Sequence, residues 1–306
     1  MRALVAARRW RPWRAAVDAA SAQPALRLAV LAAIPVLWIV GANLAPLAQM
    51  AAISLMERYP VPPGEPVAWT LSHYAAFWER PLYLNAYIRT FIFATAVTLI
   101  TLLVMFPVAW YVAKVAPREA RLRLLLILVA PFWVSEIVRS IAWMLVLANR
   151  GALNLALSGV GVIDDPLPML YTHGSLAVGV LYLTSLYMLL PLYAAFEKID
   201  DGLLQASANL GAGPLTRLKR IILPLARDGI VGGCTLVFLM AIGLYAMPQL
   251  LGGPDTTLFA VTIGQVFSRG GDAWPLGSAL SILLILGALG WVGAFALLWK
   301  SPRRSG

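Results

Sequence analysis

Six apolar runs separated by polar connectors constrain this 306-residue chain more than any other feature. They lie near 28–54, 88–113, 124–148, 174–196, 229–251 and 276–299. Each is long enough, at about 1.5 Å per helical residue, to cross about 30 Å of hydrocarbon. Inside a bilayer no water satisfies backbone N–H and C=O groups, so a spanning segment must bond to itself as a helix. Hydrophobic residues make up 60% of the chain and charged residues 12%, against roughly 25% charge in a soluble domain. The expected fold is an all-α membrane protein with six transmembrane helices.

The formal charge of +10 would suit nucleic acid, but its distribution does not. Arg2, Arg8, Arg9, Arg11, Arg14 and Arg27 precede the first run. Lys114, Arg118, Arg121 and Arg123 follow the second, Lys198, Arg217, Lys219, Arg220 and Arg227 follow the fourth, and Lys300, Arg303 and Arg304 follow the sixth. The alternate loops hold Glu57, Glu65, Glu79, Asp164, Asp165, Asp255 and Asp272. This is the positive-inside alternation. It predicts both termini in the cytoplasm, a basic N-terminal segment 1–27, a six-helix transmembrane domain 28–299 and a tail 300–306. The N-terminal segment has no small-residue cleavage site and reads as retained. Its first 22 residues read either as a basic helix on the membrane, with Trp10 and Trp13 at headgroup depth, or as a disordered tail.

Catalysis finds no support. Cys234 is the single cysteine, and His73 and His173 are far apart, so neither a disulfide framework nor a zinc site is expected. No Ser-His-Asp or Cys-His arrangement stands out. The Gly-x-x-x-x-Gly-Lys-[Ser/Thr] phosphate loop is also missing, so the chain does not hold ATP in the usual way. Pro60, Pro62, Pro63 and Pro66 with Tyr59, Trp69, Tyr74, Phe77 and Trp78 mark 55–87 as an outward loop, with a short amphipathic piece around 70–80. Gly232, Gly233, Gly243 and several prolines inside the runs predict kinks and close helix contacts.

The inward loop 197–228 carries the clearest signal. Asp200 or Asp201 is placed to cap a short helix, and Leu203, Leu204, Ala206, Ala208 and Leu210 give it an apolar face. Gly211 or Gly213 ends it through a left-handed conformation. Pro224 opens the return to the membrane. Leucines turned to the cytosol make sense in a groove on another protein.

Here the chain resembles inner-membrane permeases of ABC importers with the type I (MetI-like) fold. Their cytoplasmic signature is Glu-Ala-Ala, three residues, Gly, nine residues, Ile, any residue, Leu-Pro. Ala206, Gly211, Ile221, Leu223 and Pro224 stand at those spacings, while Gln205 and Ser207 depart from it. The resemblance narrows to the spermidine/putrescine (polyamine) permease family, first-permease type, through Pro131-Phe132-Trp133, Ile137-Val138-Arg139, Leu190-Pro191-Leu192-Tyr193, Glu197-Lys198-Ile199-Asp200, Leu251-Gly252-Gly253 and Trp274-Pro275-Leu276-Gly277. It implies a bacterial inner-membrane importer with two cytosolic ATPases that hold ATP and magnesium, a second and different permease chain, and an external solute-binding protein. It implies coupling to the ATPase through Leu203, Leu204, Gln205, Ala206, Ser207, Gly211, Ile221, Leu223 and Pro224. The transport cycle would be alternating access, with solute a polyamine or similar small organic cation. An amino-acid derivative or an anion is the alternative cargo.

Glu136 and Arg139 are the only charges well within a run, and three residues apart they share a helix face. Ionisable groups at depth face a cavity or each other, so Glu136 is a candidate to meet a cationic solute, or else it pairs with Arg139 or contacts the partner permease. Trp133, Tyr182, Tyr187 and Tyr245 are candidates to hold an organic cation on their ring faces. Asp255 and Asp272 read as solvated loop acids or as contacts for cations or a binding protein. A secondary transporter driven by protons or sodium would leave the inward loop unexplained, as would a membrane scaffold.

Overall fold

The computed structural model describes residues 32, 33 and 35–299. The N-terminal reading at Trp10 and Trp13, the first residues of the 28–54 run and the tail 300–306 lie outside the described residues. Among those described the protein is helical throughout, apart from one isolated antiparallel bridge between Met56 and Trp69 in the outward loop.

Helix α1 runs Pro35–Ile53. The outward loop then leads into α2, Ser72–Glu79, the short piece expected there. Its Phe77 is buried against Tyr83 and Phe259. Helix α3 spans Pro81–Val115, starting seven residues before the predicted run (88 − 81), with a proline in its first turn. A proline at that position loses no hydrogen bond, because the first N–H groups of a helix are unpaired anyway.

The third run is not one helix. Helix α4, Arg118–Val129, gives way to a tight turn at Ala130–Trp133, and the chain is extended at Val134 and Ser135 before α5, Glu136–Leu147. Pro131 sits in that turn, where it cannot donate a backbone bond. Glu136 is therefore in the first turn of a helix beside a break, not in the middle of a span. A short helix α6, Ala152–Gly159, follows.

Helix α7, His173–Glu197, is the axis of the bundle, and half of its span is buried inside the protein. The loop after it contains α8, Asp201–Asn209, and α9, Pro214–Leu225. Helix α10, Arg227–Gly243, leaves α9 at an angle of 70°. The predicted fifth run is also interrupted: α10 stops at Gly243 and α11, Ala246–Leu251, follows an extended Leu244. Helices α12, Phe259–Phe267, and α13, Trp274–Leu298, complete the chain. Among the described residues five helical stretches are long and apolar enough to span a membrane, α1, α3, α5 with α6 (Glu136–Gly159), α7 and α13, or six if the bent α9–α10 pair counts as one.

Helices α3, α7 and α10 pack together through two buried clusters. The one nearer the α7–α8 corner joins Ala109 and Ala113 of α3 to Met188, Leu189, Leu192 and Phe196 of α7 and Ile230, Cys234 and Val237 of α10. Helix α10 reaches α7 closely because Gly229 and Gly233 carry no side chain. A Cβ on Gly229 would lie 2.5 Å from the Pro191 carbonyl oxygen, and one on Gly233 would lie 2.8 Å from Met188 Sδ. Gly232 and Gly243, expected at contacts, have nothing within 4 Å of an added Cβ. Small residues permit close approach only on the side that faces the neighbour.

One polar contact pins α12 to α3. Thr90, wholly buried, donates to the Ala86 carbonyl at 2.7 Å and accepts from the Phe259 N–H at 2.7 Å. Phe259 opens α12, so its N–H has no partner within the helix. We expect Thr90→Val to orphan that donor, costing about 1–3 kcal/mol, and to lower the unfolding temperature in detergent. Thr90→Ser should stay near wild type.

Candidate functional site

The segment 197–228 is built around α8. Asp200 is extended (φ −69°, ψ 128°), and its carboxylate accepts from the Gly202 N–H at 3.0 Å. Asp200, not Asp201, is thus the cap, because only the residue before the first helical turn has a side chain placed to reach a free N–H. At the other end Gly211 has φ +82°. The Gly211 N–H donates to Ala208 O at 2.9 Å and the Ala212 N–H to Ser207 O at 3.0 Å. This paired closure requires a left-handed residue; Gly211, not Gly213, supplies it.

The apolar face of α8 divides in two. Leu204 turns inward to a cavity of about 420 Å³ lined by Phe106, Pro107 and Trp110 of α3 and by Pro214, Arg217, Leu218 and Ile222 of α9. Leu203, Gln205, Ala206 and Ala208 are exposed, as is Leu210 just beyond the helix. Ser207 is half-buried, and its hydroxyl donates to Leu204 O at 2.8 Å. Ile221 and Leu223 are half-buried and Pro224 is exposed, all on α9. The chain turns back at fully buried Ala226, two residues after Pro224. The signature residues therefore fall into an outward-facing helix and a separate bend.

Lys114, read from the sequence only as a marker of sidedness, reaches this segment from the end of α3. Its ammonium donates to the Asp201 carboxylate at 2.7 Å and also to the Ile199 carbonyl. Only 8% of the lysine side chain is exposed, against 56% for Asp201. The bond to Lys114 and its charge hold the Asp201 carboxyl below its usual 3.8. A depressed carboxyl pKa stabilises the fold above its unfolded value, and that contribution is lost as pH falls through the folded value. We expect acidification through that depressed value, below the usual 3.8, to break the pair and expose the α7–α8 corner, read as faster amide exchange there.

At the break between α4 and α5 the Glu136–Arg139 pair, one of the alternatives left open by their spacing, is absent: among the described residues the two side chains form no ion pair. A helical side chain leans toward its own N-terminus. Arg139 accordingly folds back, with its guanidinium carbon 4.7 Å from the Phe132 ring centre and 6.0 Å from that of Tyr182. Its Nε and one Nη are buried without a hydrogen-bond partner among the described residues. A cavity of about 230 Å³ adjoins it, lined by Arg139, Ala142, Trp143, Val146 and Tyr182. Tyr182 is thus at this site, and Tyr187 lies near it, 6.4 Å from Phe132. Trp133 is 87% exposed on the turn. Tyr245 packs over Gly264, at the α10–α11 break. Phe132 and Trp143 were missed as functional candidates, although aromatics one or two turns from a buried Arg are a readable signal. Cys234 is buried and free, and no cluster of potential metal ligands occurs among the described residues.

The chain as a whole resembles known proteins. Residues 82–305 match the family described as binding-protein-dependent transport system inner membrane component. The chain is 37% identical over 220 residues to the spermidine/putrescine transport system permease protein PotB of Salmonella typhimurium (strain SL1344), covering 72% of this chain and 76% of that protein. It is 36% identical over 220 residues to PotB of Escherichia coli (strain K12), covering 72% and 79%. The crystal structure of a bacterial ABC transporter involved in the import of the acidic polysaccharide alginate contains a chain with the same fold. The TM-score is 0.68 at 16% identity, covering 91% of this chain and 96% of that one. From the first turn of α3 onward, then, sequence and fold point the same way, and the chain belongs to the multi-pass inner-membrane permease components of binding-protein-dependent ABC importers, which are not themselves enzymes.

Proposed function

We propose that this permease carries a polyamine, or a similar small organic cation, across the bacterial inner membrane by alternating access. The observation that carries the substrate class is the 36% and 37% identity to permeases named for spermidine and putrescine, over most of their length. The proposed partners are a cytosolic ATPase dimer that binds ATP and magnesium, a second permease chain of different sequence, an external solute-binding protein and membrane lipid. Both termini lie in the cytoplasm in this reading, following the basic loops. Exposed Leu203, Gln205 and Ala206 on α8 are the docking surface for the ATPase, with Ser207 and Gly211 closing the helix. Leu204 ties it to the bundle, and Ile221, Leu223 and Pro224 shape the bend that hands its motion to α10. Trp133, Glu136, Tyr182, Tyr187 and Tyr245 are the proposed path residues.

A second reading, a solute that carries a carboxylate, draws on Arg139. Its guanidinium already occupies the rings that a cationic solute would use, and its charge favours an anionic group. One experiment separates the readings. The permease, co-expressed with its partner subunits and reconstituted in liposomes, is given labelled putrescine or 4-aminobutyrate with and without ATP and binding protein. ATP- and binding-protein-dependent putrescine uptake is expected. Preferential aminobutyrate uptake would favour the second reading, and uptake driven by an ion gradient without ATP would reject both.

A further inference from the structure

The corner between α7 and α8 is flanked by open space. A cavity of about 580 Å³ lies on one side, lined in part by Lys114, Arg121, Tyr193 and Asp201. One of about 560 Å³ lies on the other, against Pro191, Leu203 and Leu225. Packing along α8 is correspondingly sparse: Leu204 is its one residue in a hydrophobic cluster of the described residues. By contrast, the end of α3 is firmly seated, with Ala109, Val112 and Ala113 buried at 0%, 2% and 0% exposure. Lys114 joins the two. Its ammonium holds the Ile199 carbonyl just before α8 and the Asp201 carboxylate in the first turn of α8.

We infer that Lys114 is a positioning residue for energy coupling: it makes α8 and the inward end of α3 move as one body. This rests on α8 being the element that the ATPase moves. Without the ammonium, α8 keeps its own cap at Asp200 and its closure at Gly211, but with only Leu204 packed against the bundle it pivots more easily about the corner. Motion of α8 is then taken up in the flanking cavities instead of reaching α3. Two charge-assisted bonds from one largely buried ammonium make a stiff joint, because each is stronger and more directional than a neutral bond. The aliphatic stem contributes little to this, so Lys114→Met keeps the packing and removes only the joint.

The test is the number of ATP molecules hydrolysed per solute imported by the complete, reconstituted importer. Lys114→Met, which removes both bonds, is expected to raise that ratio roughly ten-fold or more, since one charge-assisted bond alone is worth about ten-fold, with ATPase association unchanged and only a small drop in unfolding temperature. Asp201→Asn should raise it less, since the Ile199 bond remains, and Lys114→Arg should restore a ratio near wild type. A wild-type ratio in Lys114→Met overturns the inference. So does a proportional fall in hydrolysis and uptake, which marks lost assembly. Leu203→Glu, on the exposed face, serves as the separate control. If it leaves ATPase binding intact, the docking role of α8 fails, whatever Lys114→Met does.

Discussion

Gly211→Pro should insert into the membrane at wild-type levels and import nothing measurable. Gly211 has φ +82°, whereas a proline ring fixes φ near −65°. The substitution also deletes the N–H that bonds to Ala208 O. Together these changes cost roughly 3 kcal/mol or more, about a hundred-fold in the population of the native turn. The damage stays local, because an added Cβ at Gly211 meets nothing within 4 Å and the turn lies outside the packed core. What is lost is the end of α8 and the direction in which the chain enters α9. Gly211→Asn, which tolerates the left-handed region, should keep most uptake. Measuring membrane yield, ATPase co-purification and uptake side by side decides it; wild-type import by the proline variant would remove the docking role from this turn.

Gly229→Leu should give the largest structural effect: little or no monodisperse protein in detergent. Here the glycine is a packing device. An added Cβ collides with the Ala195 methyl and lies 2.5 Å from the Pro191 carbonyl. Backbone cannot rotate away as a flexible side chain can, so α7 and α10 must separate. Overpacking ordinarily costs about 1–3 kcal/mol, and here separation also loosens the cluster around Met188, Leu192, Phe196 and Val237. Gly229→Ala should lower the unfolding temperature, and Gly232→Leu, three residues along on a face with nothing within 4 Å, should behave as wild type. Equal behaviour of the two leucine variants would contradict the proposed α7–α10 contact.

These two glycines show which parts of the molecule were readable in advance. A glycine stop at Gly211 or Gly213 was legible because a capped apolar helix followed by glycine is a local pattern, closed by bonds within a few residues of each other, and the positive φ then singled out Gly211. Gly229 was not singled out, and Gly232 and Gly243 were expected at contacts they do not make, because the face a glycine presents depends on how two helices are rotated together. The same division runs through the spans. Hydropathy located the six apolar regions. It did not reveal the break at Val134 and Ser135 or the one at Leu244, since a broken helix and a continuous one have nearly the same composition. Glu136 and Arg139 had the spacing of a pair. The break places Glu136 in a first turn and leaves Arg139 to lie across Phe132.

From the amino-acid sequence alone came the medium, the helical class and the family, and with them the proposed sidedness of the loops. Each follows from terms that act residue by residue: the free-energy cost of bare backbone in hydrocarbon, the bias of Lys and Arg toward one face, and fixed spacings within one loop. Tertiary structure alone decided which ring stacks on Arg139, which glycines admit a neighbouring helix and that Lys114 reaches Asp201, 87 positions along the chain. Side-chain partners are set by the relative placement of whole helices, and that placement depends on the summed packing of residues distant in sequence.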